Sequence, residues 1–159
     1  MSGRGLDVVI TSGAGTASTE MAAFDAALQQ AGVAHFDLIR LSSLIPPGSR
    51  INAPQRWSAL AGAWGDRPYA LNAEHRVSAP GERACAGLRW VQNVETGAAV
   101  LVEHGADQSA VEAQLKATLD DLAARRPGRC SGPAWRIGSA ACDIYPLAAV
   151  VVAAMRVEP

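Results

Sequence analysis

The sequence predicts an α+β domain in which two helices cover a largely antiparallel sheet. Three observations lead to this class: six or seven short apolar runs typical of strands, two stretches with helical spacing, and turns rich in Gly and Pro between most runs. The chain has 159 residues, of which 49% are hydrophobic and 18% charged, as in a globular protein with a sizeable core. We therefore expect one domain over residues 1–159.

A glycine-rich segment follows the first expected strand. DVVIT, residues 7–11, is an apolar run typical of a strand, and SGAGT, residues 12–16, follows it as a turn. Gly-rich loops before helices can also bind phosphate through helix N-terminal amides. This segment lacks the GK[ST] of a P-loop and the third glycine of a dinucleotide fingerprint, so the sequence favours a plain turn.

The first helix carries a carboxylate close to its apolar positions. We expect it to begin near Thr16 or Ser18, whose hydroxyls can cap free amides, and to end at Gly32. Its apolar positions at helical spacing are Met21, Phe24, Leu28 and Ala31. Asp25 lies on or beside this stripe, where a carboxylate loses solvation unless it is paired. It is either an edge residue that reaches water or a receptor for a cationic ligand group.

The second strand ends in two serines, an apolar pair and two prolines. We expect this strand from residue 35 or 36 to Ile45, because Pro46 and Pro47 cannot donate to a sheet ladder. Ser42 and Ser43 stand near its end in RLSSLIPP. No GxSxG elbow surrounds them and the three histidines form no recognisable triad. The residues alone therefore indicate a strand end whose hydroxyls bond local backbone.

The rest of the chain predicts a loop at 48–66, five strands and a second helix. The expected strands are 68–78, 84–93, 98–103, 134–142 and 146–157. Ser109 and Glu112 have the spacing of a capping box, and the helix that they open ends before Pro127. Its apolar stripe consists of Val111, Leu115, Leu119 and Leu122.

Glu103 ends the apolar run AAVLV and precedes His104. A carboxyl group at that point is a solvated strand terminus or a general acid whose pKa is raised by apolar neighbours. His104 is a competing acid or base, or an ordinary histidine at a strand end.

Composition excludes several classes of function. The formal net charge is −1 and no basic stripe is visible, so we expect no nucleic-acid partner. Three cysteines without CxxC spacing disfavour a disulfide framework and a zinc site, and they suit a reducing cytoplasm. The most apolar segment, residues 147–155, is too short to span a membrane and the N-terminal apolar run is too short for a signal peptide. We expect a cytoplasmic protein with no metal and no membrane partner.

Four motifs in order change the interpretation of the two serines. FDAALQQAG, FDLIRLSSLIPPG, PGE and LVEHG resemble the pyruvoyl-dependent arginine decarboxylase family, and the likeness extends from about Ser12 to Glu112. The resemblance implies an αββα sandwich with largely antiparallel sheets. It also implies self-cleavage between Ser42 and Ser43 into chains 1–42 and 43–159. Ser43 would become a covalent pyruvoyl group, which forms a Schiff base with the substrate amine and accepts electrons as carbon dioxide leaves.

The resemblance also implies roles for individual residues. Glu103 would reprotonate the substrate Cα and Asp25 would bind the guanidinium of arginine through charge-assisted hydrogen bonds. Ala34 and Phe36 occupy positions where substrate contacts are expected. Asp37 stands where the family commonly has an Asn that holds the attacked carbonyl or its oxyanion. Since an ionised Asp cannot donate a hydrogen bond, whereas a protonated one can, we expect processing to be slow, pH-dependent or supported by another donor.

Family likeness and spacing both suggest an assembly. Asp37 and Ser43 would be roughly 20 Å apart on one extended strand, so cooperation between them requires two subunits. The family is similar in this respect and forms trimers, or multiples of trimers, with active sites between subunits. The resemblance thus predicts an enzyme that converts arginine to agmatine, a reaction of polyamine biosynthesis. Two alternatives remain open: a pyruvoyl decarboxylase of another amino acid, and a trimeric scaffold that does not process itself.

Overall fold

The computed structural model describes residues 5–41, 43–53 and 64–156. Its helices and strands in chain order are β1 Asp7–Thr16, α1 Glu20–Ala31, β2 Ile39–Arg40, β3 Leu44–Ile45, β4 Arg50–Asn52, β5 Tyr69–Val77, β6 Arg83–Gln92, β7 Ala99–Ala106, α2 Gln108–Ala124, β8 Ala134–Ala141 and β9 Leu147–Arg156. The α+β class with two helices is confirmed. The predicted loop at 48–66 was partly wrong, because β4 lies within it.

The strands form two mostly antiparallel sheets, as the family resemblance implied, and not the single sheet that the residue pattern suggested. A five-stranded sheet has the order β2-β5-β9-β1-β4, and a four-stranded sheet has the order β3-β7-β6-β8. All neighbouring pairs are antiparallel except β1 with β4 and β2 with β5, which are parallel. β2 and β3 are edge strands of different sheets, so the chain changes sheets between them.

Three apolar clusters show how these layers pack. One lies between the sheets and contains side chains from both, including Ile10, Leu71, Leu101 and Val151. A second joins α1 to the five-stranded sheet, and a third joins α2 to the four-stranded sheet. Each helix therefore covers the outer face of its own sheet, where burying an apolar stripe supplies much of its stability.

SGAGT is part of a strand, so the turn expected there was wrong. β1 continues through Thr16, and Gly13 and Gly15 lie directly under α1. A Cβ at Gly13 would come 2.3 Å from Ala27 O, and one at Gly15 would come 2.5 Å from Ala27 N. These glycines therefore let the helix and strand backbones approach closely. This close approach, and not a turn, is the physical reason for glycine here.

This close approach also changes which face of α1 is buried. The buried residues are Ala23, Ala27 and Ala31, while Met21 of the predicted stripe is 65% exposed. Only an alanine side chain fits between the two backbones, so the larger apolar side chains lie at the sides of the contact. The helix begins after the cap Thr19, later than expected, and ends as predicted at Gly32, whose φ is 81°.

The second helix follows its prediction closely. Val111, Leu115 and Leu119 are buried against the sheet. Its N-cap is Asp107, not Ser109, because the Asp107 side chain accepts the Ala110 N–H.

The single strand expected from residue 35 or 36 to Ile45 was wrong. The chain forms β2 on the five-stranded sheet and β3 on the four-stranded sheet, and Leu41 and Ser43 belong to neither strand. Apolar periodicity cannot detect this break, because apolar residues stand on both sides of it in one short stretch of sequence. The premise that Asp37 and Ser43 lie on one extended strand is therefore removed.

Candidate active site

The segment with the two serines bridges the two sheets. Before it, the Leu41 N–H donates to Ala70 O of the five-stranded sheet at 2.9 Å. After it, the Leu101 N–H of the four-stranded sheet donates to Ser43 O at 2.8 Å. Ser42 lies outside the described residues. The backbone is thus held on both sides of residue 42, and each side is held by a different sheet.

The chain after Ser43 is fixed by a buried serine that sequence reasoning missed. Ser49 is 4% exposed; its Oγ donates to Pro46 O at 2.7 Å and accepts the Leu6 N–H at 2.8 Å. Gln92 Nε2 donates to Ser49 O at 2.8 Å and to Gly97 O at 2.9 Å. Such a satisfied buried network restrains the loop. A serine just after two prolines and a glycine was the only signal of it in the sequence.

Glu103 lies close to Ser43 across the β3–β7 pair. The strand continues past Glu103 to Ala106, so the expected position at the strand end was wrong. Leu44 pairs with Val100, and the next step along the register sets Ser43 opposite Leu101. Glu103 is then a diagonal neighbour of Ser43, at about 7–8 Å between backbones.

The face and exposure of Glu103 define its environment. Alternation along β7 puts Glu103 on the same face as Leu101, which is buried between the sheets, and puts His104 on the opposite face. Glu103 is nevertheless exposed. The apolar surroundings expected for a general acid are therefore not supplied by its own chain.

Asp37 lies apart from this pair, at the start of the segment that leads to β2. Its N–H donates to Asp66 O at 2.9 Å, and its Oδ2 is 3.4 Å from Arg67 Nε. The two side chains of the ion pair are 69% and 71% exposed, so the pair adds little stability. Asp37 faces solvent and is paired with a cation.

The three expected substrate contacts lie on or just after α1. Asp25 is exposed and reaches water, as in the first of its two alternatives, but it faces away from the buried alanines and does not lie beside them. Ala34 is half-buried. Phe36 packs against the cluster under α1, and its ring centroid is 3.9 Å from that of His35. The fold brings Ser43 and Glu103 together, and in the described part of the chain no hydrogen bond or ion pair joins them to Asp25, Ala34, Phe36 or Asp37.

Exposed apolar side chains lie on β2 and β3, which flank the serine segment, and on β5, which pairs with β2. Ile39 on β2 is 38% exposed, Leu44 on β3 is 54% exposed and Tyr69 on β5 is 42% exposed. We call these three residues the edge patch. β2 and β3 are edge strands of the two sheets, and exposed apolar side chains at sheet edges are typical of a surface that another chain covers.

The described part of the chain contains few perturbed titrating groups. Burial raises the pKa of the Cys85 thiol, which keeps it protonated and unreactive. Hydrogen bonds from the Ala110 amide and the Ser109 hydroxyl lower the pKa of the exposed Asp107.

Within residues 5–41, 43–53 and 64–156, no three His, Cys, Asp or Glu side chains are grouped to hold a metal ion, and no helix has the length and apolarity of a membrane span.

Comparison with known proteins identifies the family. Residues 7–145 match the family model of pyruvoyl-dependent arginine decarboxylase. The chain is similar to the Halobacterium salinarum protein of that name, with 37% identity over 113 residues, or 71% of this chain and 63% of the relative. It is also similar to the Methanothermobacter thermautotrophicus protein of the same name, with 48% identity over 46 residues, or 29% of this chain and 30% of the relative. The match thus spans less than two thirds of the Halobacterium relative's length. The chain belongs to the pyruvoyl-dependent arginine decarboxylase family.

Proposed function

We propose that the protein cuts itself between Ser42 and Ser43 and then decarboxylates arginine to agmatine. The observation that carries the proposal is the attachment of Leu41 and Ser43 to different sheets, with Glu103 one diagonal step from Ser43. A cut at residue 42 leaves both new ends anchored. The fold therefore tolerates the break, and the domain of residues 1–159 survives as chains 1–42 and 43–159.

The processing chemistry uses the Ser43 hydroxyl. Its Oγ attacks the carbonyl carbon of residue 42, so that an ester forms and the peptide nitrogen leaves as an amine. Loss of the Ser43 Cα proton and cleavage of the Cβ–O bond release residue 42 as a carboxylate and leave dehydroalanine. Tautomerisation to an imine and hydrolysis by water release ammonia and leave a pyruvoyl group at position 43.

The residues around position 43 suit such a group. Ser43 is half-buried, and its carbonyl is held by the Leu101 N–H at 2.8 Å. When present, the group supplies a carbonyl that accepts the electron pair left by departing carbon dioxide. Glu103 then donates a proton to the substrate Cα, and Asp25 binds the substrate guanidinium. Ala34 and Phe36 border the substrate. No metal takes part in this scheme.

We propose that the active site is completed by a second subunit in a trimer or a multiple of trimers. Glu103 and Asp37 are exposed in the single chain, and the edge patch beside them is apolar. Covering this edge would remove Glu103 from water and bring the substrate-binding residues of one subunit toward Ser43 of another. Leu44→Asp should then dissociate the assembly in light scattering, whereas Val94→Asp, at a residue of similar 51% exposure, should not.

The packing of the layers supports a finer fold assignment, and the free cysteines support a cellular location. Helix, sheet, sheet and helix share three apolar clusters, which is the arrangement expected of an αββα sandwich of the pyruvoyl-dependent decarboxylase type. Cys85, Cys130 and Cys142 are all free, which suits the reducing cytoplasm.

Intact mass spectrometry of the purified protein tests the central proposal. We expect two fragments split after residue 42, the larger with a ketoacyl N-terminus, and production of agmatine from arginine. Ser43→Ala should remain one chain of 16.5 kDa without activity. Ser42→Ala is the matched control, since it keeps the nucleophile and should still be cut. A wild-type chain that stays intact at every pH would refute self-processing and favour the scaffold, an alternative that the Asp37–Arg67 ion pair supports.

A further inference from the structure

A groove on the outer face of the four-stranded sheet lies outside the proposed active site. Helix α2 packs on β6 and β7, where Gly87 makes room for it: a Cβ there would lie 2.7 Å from Leu115 Cδ1. The helix leaves Trp135 on the outermost strand β8 60% exposed. A groove of about 440 Å³ remains between helix and strand. Its lining includes Arg89, Glu112, Leu115, Lys116, Trp135 and Ile137.

Arg89 has an incomplete environment within this groove. It is the direct cross-strand partner of Trp135, and its guanidinium carbon lies 5.4 Å from the Trp135 ring centroid. Its Nε is buried and has no hydrogen-bond partner in the part of the chain that the structure describes. A buried, unpaired donor on a cation is costly and calls for a ligand or water.

Asp120, a carboxylate that interacts electrostatically with Arg89, does not complete this environment. Asp120 is held by Lys116, whose Nζ is 2.7 Å from Asp120 Oδ2. That hydrogen bond is the main reason for the lowered pKa of Asp120, and the charge of Arg89 contributes less. The Asp120 carboxylate is thus paired with Lys116, and the Arg89 guanidinium can still bind another anion.

We propose that this groove binds a small organic carboxylate with a flat apolar body. The guanidinium of Arg89 binds the carboxylate, and the body packs against Trp135, Leu115 and Ile137. The volume lies within the ordinary range of ligand pockets, and an apolar lining with a few polar groups is typical of them. Glu112 also lines the groove and disfavours an anion near its own side chain, so the ligand's charge is directed to Arg89. The groove and Glu103 lie on opposite faces of the same sheet.

Calorimetric and NMR titrations of the purified protein with three matched probes test this site. Phenylacetate, 2-phenylethanol and phenethylamine share a ring and differ in charge. Phenylacetate should bind with a Kd of about 1 mM, an affinity that is reasonable for a ligand with so few non-hydrogen atoms. The other two probes should bind at least about tenfold more weakly. Arg89→Gln and Trp135→Ala should each weaken phenylacetate binding by about tenfold or more, whereas Glu112→Gln should strengthen it by about twofold to fivefold.

Controls separate binding from folding. Arg83 is an exposed arginine on the same strand, and Arg83→Gln should leave the affinity unchanged. If Arg89→Gln does not fold, Arg89→Lys and Trp135→Ala still test the contact, since Trp135 is largely exposed. Equal binding of all three probes, or phenylacetate binding that survives loss of Arg89 and Trp135, overturns the proposal. A preference for phenethylamine that depends on Glu112 also overturns it and assigns the groove to cations.

Discussion

Replacing Gly105 with alanine should force apart the two sheets next to Glu103. Gly105 on β7 meets the backbone of β5: a Cβ at this position would lie 1.9 Å from Glu74 O and 2.7 Å from Glu74 C. The first distance is about 1.5 Å short of the 3.4 Å at which ordinary contact begins. Because both neighbouring atoms belong to the backbone, no side-chain rotation can relieve the clash, and one strand has to move.

The size of the effect follows from this geometry. Overpacking a core costs about 1–3 kcal/mol, and a contact between two strand backbones belongs at the upper end. For a chain of 159 residues, about 3 kcal/mol corresponds to a fall in Tm of about 6–12 °C. Glu103 is two residues away on the same face of β7, and a displacement of about 1 Å in a catalytic group can cost about a hundredfold in rate. We expect arginine turnover to fall by about that factor.

Calorimetry and agmatine formation measure the two effects. Gly132→Ala is the matched control, since a Cβ there would meet nothing within 4 Å, and it should behave as wild type. If Gly105→Ala melts within about 2 °C of wild type and keeps its turnover, the close approach of β5 and β7 does not restrain the site and the reasoning is wrong.

Four further changes test the other proposed roles. Glu103→Gln should leave self-cleavage intact in mass spectrometry and lower kcat by about 10²- to 10⁴-fold. Asp37→Asn, which supplies an amide donor, should speed cleavage and reduce its pH dependence in a gel time course. If the variant and the wild type are cleaved at the same rate at every pH, Asp37 has no role in processing. Asp25→Asn should raise KM for arginine by about 10- to 100-fold, and an unchanged KM would remove the substrate assignment. The Ala110 amide lowers the pKa of Asp107, so the cap stabilises the fold above its ordinary pKa of 3.8, and this stability is lost as pH falls through the lower folded value. Asp107→Ala should therefore lower Tm at neutral pH and lose less Tm on acidification in calorimetry.

The anchoring of both sides of residue 42 also explains why a cut need not unfold the chain. β2 belongs to the five-stranded sheet and β3 to the four-stranded sheet, and Ser49 ties the following loop to Leu6 and Gln92. These contacts do not depend on the peptide bond between the serines. The two proposed chains can therefore remain one folded unit held by sheet pairing and core packing.

Local patterns determined much of this protein from the sequence alone. Periodicity predicted the α+β class, helix α2 with its buried Val111, Leu115 and Leu119, and the glycine stop of α1. The family resemblance, carried by four motifs in order, singled out Ser43 and Glu103. The inferences about the helices depend on residues that are close in sequence, where helical spacing and capping act directly, whereas the roles of Ser43 and Glu103 came from the family resemblance.

Tertiary structure decided the features that depend on distant backbones. Gly13 and Gly15 are strand residues because α1 lies on them, and this contact selects alanines for the buried face and turns Asp25 to solvent. The change of sheet between Arg40 and Leu44 depends on pairing with β5 and β7, which lie far along the chain. Local residue types describe the turn or stripe that a segment prefers, whereas pairing with a distant strand determines the sheet it joins and the face it buries.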